Sequence, residues 1–135
     1  MPLITWTETM SVGVVRSDKE HQKLIELINL LHSEMAAGKS NEVMGKVLEQ
    51  LISYTKGHFA MEETLFRNHN YPQAAAHKQE HDALTKKVLD LQAEFKAGKT
   101  FIGAPTLNFL RDWLTQHILK QDMSYKLFFA SKGVK

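Results

Sequence analysis

The sequence predicts an all-α fold, an up-down-up-down four-helix bundle with an N-terminal arm, and three observations lead there. Four segments carry apolar residues spaced three and four apart, the period of a half-buried helix. Short stretches rich in Gly, Pro, Ser and Asn separate them. Connections that short between helices of about 20 residues or more favour antiparallel neighbours. With 135 residues the chain suits a single core, because two halves would each bury too little apolar surface. The expected division is an arm over 1–16, a bundle over 17–130 and a tail over 131–135.

The first helix is expected from Asp18 to Ala37, with Ser17 and Glu20 spaced as a capping box and Gly38 as the stop. Leu24, Ile25, Ile28, Leu31 and Met35 form its inner face, and Trp6 is expected to pin the arm ahead of it. The second helix starts after Ser40 and ends near Asn68, where Asn70-Tyr71-Pro72 marks a break. Its inner positions are Met44, Leu48, Leu51, Thr55, His58, Glu62 and Leu65. The third runs from Gln73 to Ala97 ahead of Gly98, with His77, His81, Leu84, Val88, Leu91 and Phe95 inward. The fourth begins near Pro105, a favourable first-turn residue, and continues to Ala130.

Composition narrows the chemistry. Hydrophobic residues at 43% and charged ones at 24% are globular proportions, which argues against disorder. A net charge of +2, with Lys and Arg scattered among Asp and Glu, leaves no footprint for nucleic acid or a membrane surface. No run is long enough to cross a bilayer and the first residues lack a basic region followed by an apolar stretch, so membrane insertion is not expected and the cytoplasm is the expected location. With no cysteine, disulfides and thiolate metal sites are excluded, and any metal falls to His and carboxylate ligands.

The chain also echoes itself at an offset of 60 residues: Glu20-His21 recurs as Glu80-His81, Leu24 as Leu84, Leu31 as Leu91, Glu34 as Glu94, and Ala37-Gly38-Lys39 as Ala97-Gly98-Lys99. Each half carries a His on its second helix, His58 or His117, followed within five residues by a carboxylate. Two related helical hairpins are the natural reading.

Five of the seven histidines fall on expected inner faces: His21, His58, His77, His81 and His117. One such His is more often a hydrogen-bonded core residue than a ligand. Five together need another reason. His77 and His81 are four apart, the spacing that stacks two side chains on one helix face, and His58 and Glu62 repeat it with a carboxylate in a leucine position. A buried Glu is costly without a cation to neutralise it, and a metal supplies one. His117 and Asp122 are five apart, so on a regular helix they would lie about 140° apart and straddle a site. In alternating topology these seven residues converge on one end of the bundle. His32 lies about 16 Å further along the axis and reads as structural or partly exposed, and His69 reads as a surface turn residue.

The order His, His-x-x-x-Glu, His-x-x-x-His, His-x-x-x-x-Asp over four helices resembles the ligand set of the hemerythrin family, in its single-domain bacterial form. The flanking residues agree: Trp6 and Met10-Ser11-Val12-Gly13, His58-Phe59, and Trp113-Leu114-x-x-His117-Ile118. The resemblance covers nearly the whole chain. It implies two iron ions with an oxo or hydroxo bridge, His77, His81 and His117 on one iron, His21 and His58 on the other, and Glu62 and Asp122 bridging. Glu63 beside Glu62 leaves the identity of the bridging Glu open, and Met123 stands where a Lys is often found. The implied function is reversible O2 binding for carriage, storage or delivery, with O2 held as hydroperoxide at the two-histidine iron, and no enzymatic turnover. The implied partners are O2 and an O2-consuming protein, and a monomer is expected.

Ligand charge supports carriage over oxidation. Five neutral imidazoles and two carboxylates leave the total charge of a diferrous hydroxide-bridged centre unchanged once O2 has taken up two electrons and the bridging proton, so no charge must cross the apolar bundle. Oxidases of the ferritin-like kind use more carboxylates and paired Glu-x-x-His motifs, and no Glu-x-x-His occurs in this chain. Ile25, Phe59, Trp113, Leu114 and Ile118 are the expected apolar walls of an O2 pocket, with Leu114 as its gate. The alternatives are a di-iron enzyme (peroxidase, NO reductase or oxidase) or oxygen sensing or iron storage on the same scaffold.

Overall fold

The computed structural model describes residues 2–98 and 102–135. A short 3-10 turn (Glu8–Met10) lies in the arm, followed by α1 (Val15–Ala36), α2 (Asn41–Asn68), α3 (Ala74–Lys96) and α4 (Ala104–Gln116). The last long helix does not stay α-helical. A π turn (His117–Gln121) and a 3-10 turn (Asp122–Tyr125) follow α4, and the helix resumes as α5 (Lys126–Ser131). Helix α1 packs against α2 and α4, and α2 packs against α3. The all-α bundle expected from the periodicity is present. The part of the internal echo at Lys99 lies outside the described residues.

Three of the expected ends are where the local chemistry puts them. Ser40 caps α2, its side chain accepting from the Val43 N–H. Gly38, at φ +68°, ends α1 in a left-handed turn that sends the Gly38 and Lys39 N–H groups back to Met35 and Glu34 carbonyls. Asn70, at φ +53°, does the same after α2, with the Tyr71 N–H on the Phe66 carbonyl. The start of α1 differs. The helix opens at Val15, three residues before Asp18, and no capping box forms between Ser17 and Glu20. Instead Asp18 reaches backward, its carboxylate accepting from the Val12 N–H (2.8 Å) and the Ser11 hydroxyl (2.6 Å). Ser17 is freed to turn inward beside Tyr125, and it is fully buried. The arm is held by a reciprocal pair as well as by Trp6: Asn29 accepts from the Ile4 N–H (2.9 Å) and donates to the Ile4 carbonyl (2.8 Å).

The apolar interior falls into two clusters. The larger holds Leu24, Ile28, Leu48, Leu51, Leu107 and Leu110 among others, and the smaller gathers Val12, Val14, Phe66, Tyr71, Tyr125 and Phe129. Between them sits a layer of polar side chains. His32 and His69 are both half-buried. His69 is more than a surface turn residue, since its Nδ1 bonds the Leu65 carbonyl (3.0 Å) and its ring meets the Phe129 ring edge-on.

Candidate metal centre

All seven residues singled out by their spacing lie in that polar layer. His21, Glu62 and Asp122 are fully buried, and His58, His77, His81 and His117 are at most 4% exposed. Their donor atoms form two groups, one of Glu62, His77, His81, His117 and Asp122, the other of His21, His58, Glu62 and Asp122. Glu62 and Asp122 belong to both. The separations show how close the carboxylates stand to each side: Asp122 Oδ1 is 2.8 Å from His77 Nε2 and 2.9 Å from His117 Nε2, and Oδ2 is 2.8 Å from His21 Nε2. Glu62 Oε1 is 3.1 Å from His81 Nε2 and 3.5 Å from His58 Nε2. Glu63, the other candidate for the bridging Glu, points outward and bonds His81 Nδ1 (2.8 Å).

The π turn is what lets the fourth helix contribute two ligand candidates. Five residues of regular α-helix would place His117 and Asp122 on different flanks, whereas an i→i+5 bond widens the turn and brings them to one side. The Asp122 N–H donates to the His117 carbonyl. This corrects the straddling geometry inferred from a regular helix. It also explains the spacing: the second hairpin has His-x-x-x-x-Asp where the first has His-x-x-x-Glu, and the extra residue is accommodated as a π bulge.

The donor set suits a cation. His21, His58, His81 and His117 Nε2, Glu62 Oε1 and Asp122 Oδ2 are buried without an aligned hydrogen-bond partner among the described residues. Several carry lone pairs toward a common centre, which is expensive unless a positive charge sits there. The electrostatics agree. Burial pushes the Asp122 carboxyl up, but His117, the nearby His21 and the bond to His77 outweigh it and hold the group well below the usual range. Burial and Asp122 push Glu62 up, and His58, His81 and His21 outweigh them, so it too is lowered. Burial lowers His58 and His117, yet Glu62 raises the first and Asp122 the second to a net increase. Carboxylates held low beside two imidazoles held high describe a buried negative potential, which suits a cation.

A family model described as the hemerythrin HHE cation binding domain matches residues 12–127. The chain belongs to the hemerythrin family. It is 40% identical to a bacteriohemerythrin of Methylococcus capsulatus, over 93% of this chain and 95% of that protein. A bacteriohemerythrin of Pseudomonas paraeruginosa is 34% identical over 93% of this chain and 80% of its own length. Among solved structures, a wild-type hemerythrin crystal structure superposes with a TM-score of 0.86 at 39% identity, covering 92% of this chain and 95% of that one. A hemerythrin variant with one leucine replaced by alanine gives 0.87 at 38% identity, covering 93% and 96%.

In this chain the spacing of the ligand candidates left three supporting roles unseen. Glu20 bonds His58 Nδ1 (2.7 Å) and Glu63 bonds His81 Nδ1 (2.8 Å), each fixing the ring so that Nε2 faces the centre. The buried Tyr125 hydroxyl donates to Glu62 Oε2 (2.5 Å), and its pKa is well above normal through burial and the Glu62 and Asp122 charges, so it stays a donor. A signal for Tyr125 existed, since it lies one turn after Asp122 on the inner face. Of the apolar residues expected around the site, Phe59 is stacked on His81 (3.9 Å, 5°) and meets His117 edge-on at 5.4 Å. Ile25, Leu114 and Ile118 are buried in the larger cluster. Trp113 instead turns toward α3, its indole N–H on the Leu84 carbonyl (3.2 Å), and lines the groove outside His117. Among the described residues no helix is long and apolar enough to cross a membrane.

Proposed function

We propose that this protein binds O2 reversibly at a non-haem di-iron centre. The observation that carries the reading is the asymmetry of the two donor groups, three histidines on one side and two on the other around a shared Glu62 and Asp122. His77, His81 and His117 would hold one iron, and His21 and His58 the other, with Glu62 and Asp122 shared between them. The side with two histidines has one fewer protein ligand, which leaves a position for O2. Iron held there would supply the two electrons that O2 takes up on binding and gives back on release. Reversibility is supported by the charge balance, by the absence of Glu-x-x-His and by the apolar side chains of Ile25, Phe59, Leu114 and Ile118, which keep bulk water from the layer. Leu114 would be the gate. The names of the bacteriohemerythrin relatives agree with binding rather than turnover, and cytoplasmic O2 delivery to an O2-consuming protein is the role we assign.

Stopped-flow mixing of the reduced, iron-loaded protein with O2 separates this from a di-iron oxidase or NO reductase. A carrier forms a long-lived coloured species that bleaches on evacuation and forms again on re-exposure. Rapid one-way decay to the diferric form, with consumption of a co-substrate, would contradict it.

A further inference from the structure

The two hairpins repeat each other beyond the ligands. Glu20 and Glu80 are 60 residues apart, as are His21 and His81, and Glu62 and Asp122; His58 and His117 are 59 apart, the π turn supplying the difference. The clefts beside the site repeat too. One of about 810 Å³ between α1 and α2 is lined by Glu20, Leu27, Tyr54, Gly57 and His58 among others. One of about 330 Å³ between α3 and α4 is lined by Glu80, Lys87, Trp113, Gln116 and His117, each at the repeat position of a residue in the first.

In the first cleft Glu20 Oε1 bonds His58 Nδ1 at 2.7 Å. In the second, His117 turns Nε2 toward Asp122 (2.9 Å), and its Nδ1 is buried with no hydrogen-bond partner among the described residues. Glu80 is exposed on the same cleft. An imidazole that gives its Nε2 lone pair to a metal must carry its proton on Nδ1, and a buried N–H demands an acceptor. We propose that Glu80 is the positioning residue of His117, its carboxylate turning into the α3/α4 cleft to accept the Nδ1–H as Glu20 does for His58. Gln116 and Gln121 also line this cleft. Gln116, however, occupies the repeat position of Gly57, which has no side-chain acceptor, and an amide oxygen is a weaker acceptor than a carboxylate. The other outer acid has no such counterpart: Glu63 repeats as Met123, and His21 Nδ1 is the second imidazole nitrogen left unpaired on the outer side.

The inference rests on the di-iron reading. Its test compares wild type with Glu80→Gln, Glu80→Ala and Lys87→Ala, each loaded anaerobically with ferrous iron and challenged with a chelator. Proton NMR in water then follows the exchangeable, hyperfine-shifted imidazole N–H signals. Glu80→Ala is expected to lose iron roughly tenfold faster or more, with one N–H signal displaced and exchanging faster with solvent. Glu80→Gln should fall between, and Lys87→Ala should match wild type. Metal-free variants that melt with wild type establish that the fold is intact. If Glu80→Ala leaves both release and N–H signals unchanged, or if Gln116→Ala or Gln121→Ala produces the change in its place, the assignment of Glu80 is overturned while the di-iron reading stands. A wild-type protein that takes up no iron overturns both.

Discussion

Replacing Tyr125 by Phe removes one oxygen from a fully buried position and leaves the packing of the ring against Phe66, Phe129 and His77 in place. What is lost is a 2.5 Å bond to Glu62 Oε2. A hydrogen bond to a charged group contributes about 1.5–3 kcal/mol, and the buried carboxylate left behind has no water to turn to. In the metal-free protein Tyr125→Phe should therefore cost about 2 kcal/mol, or roughly 6–8 °C in Tm for a chain of this size. Metal neutralises Glu62 directly, so the loss in the iron- or zinc-loaded protein should be half of that or less. Scanning calorimetry on both forms measures the pair of numbers. A metal-free variant within about 0.5 kcal/mol of wild type, the range of an ordinary surface change, would refute the claim that Tyr125 holds the shared carboxylate.

Four further outcomes follow. The His58 and His117 imidazoles are raised from the ordinary value in the folded protein, Glu62 or Asp122 outweighing burial; their contribution to the metal-free fold is full below about pH 6.5 and lost as pH rises through their folded values. The metal-free Tm should thus fall as pH rises above about 6.5, while the loaded protein holds or gains, since metal displaces those protons; calorimetry across pH decides. Glu63→Ala should leave the fold intact and weaken metal affinity roughly 10- to 100-fold by freeing His81, read by competition with a chelator. Deleting Leu119, exposed in the π turn, should yield a regular helix with His117 and the Asp four apart, as in the first hairpin, and retain metal uptake; loss of uptake would contradict reading the turn as a one-residue insertion. Leu114→Ala should cost about 2–5 kcal/mol and speed both O2 release and autoxidation, and unchanged rates would remove Leu114 as a gate.

Periodicity made the bundle legible because each helix buries one stripe, and the seven ligand candidates were legible because metal ligands interrupt that stripe with polar residues at helical spacing. Where the structure departs from the sequence reading, the reason is local hydrogen bonding that spacing does not reveal. Ser17 and Glu20 have the spacing of a capping box, but the Val12 N–H and Ser11 hydroxyl offered Asp18 better partners, so the helix begins earlier and Glu20 is free to reach His58 across to α2. His117 and Asp122 could not be placed on one face by an α-helical wheel, because a π turn has no sequence signature beyond the anomalous spacing itself. By spacing Glu20 reads as the second half of a capping box and Glu63 as an alternative to Glu62; only the packing of α1 on α2 and of α2 on α3 shows that each ends on an imidazole of the neighbouring helix.

Reversible O2 binding is put to the test by gas exchange on the reduced protein loaded with iron. One molecule of O2 should be taken up per iron pair, with a new visible band, and the same O2 recovered on evacuation over repeated cycles. Uptake that cannot be recovered, or a chain that binds a single metal ion and no O2, would contradict it.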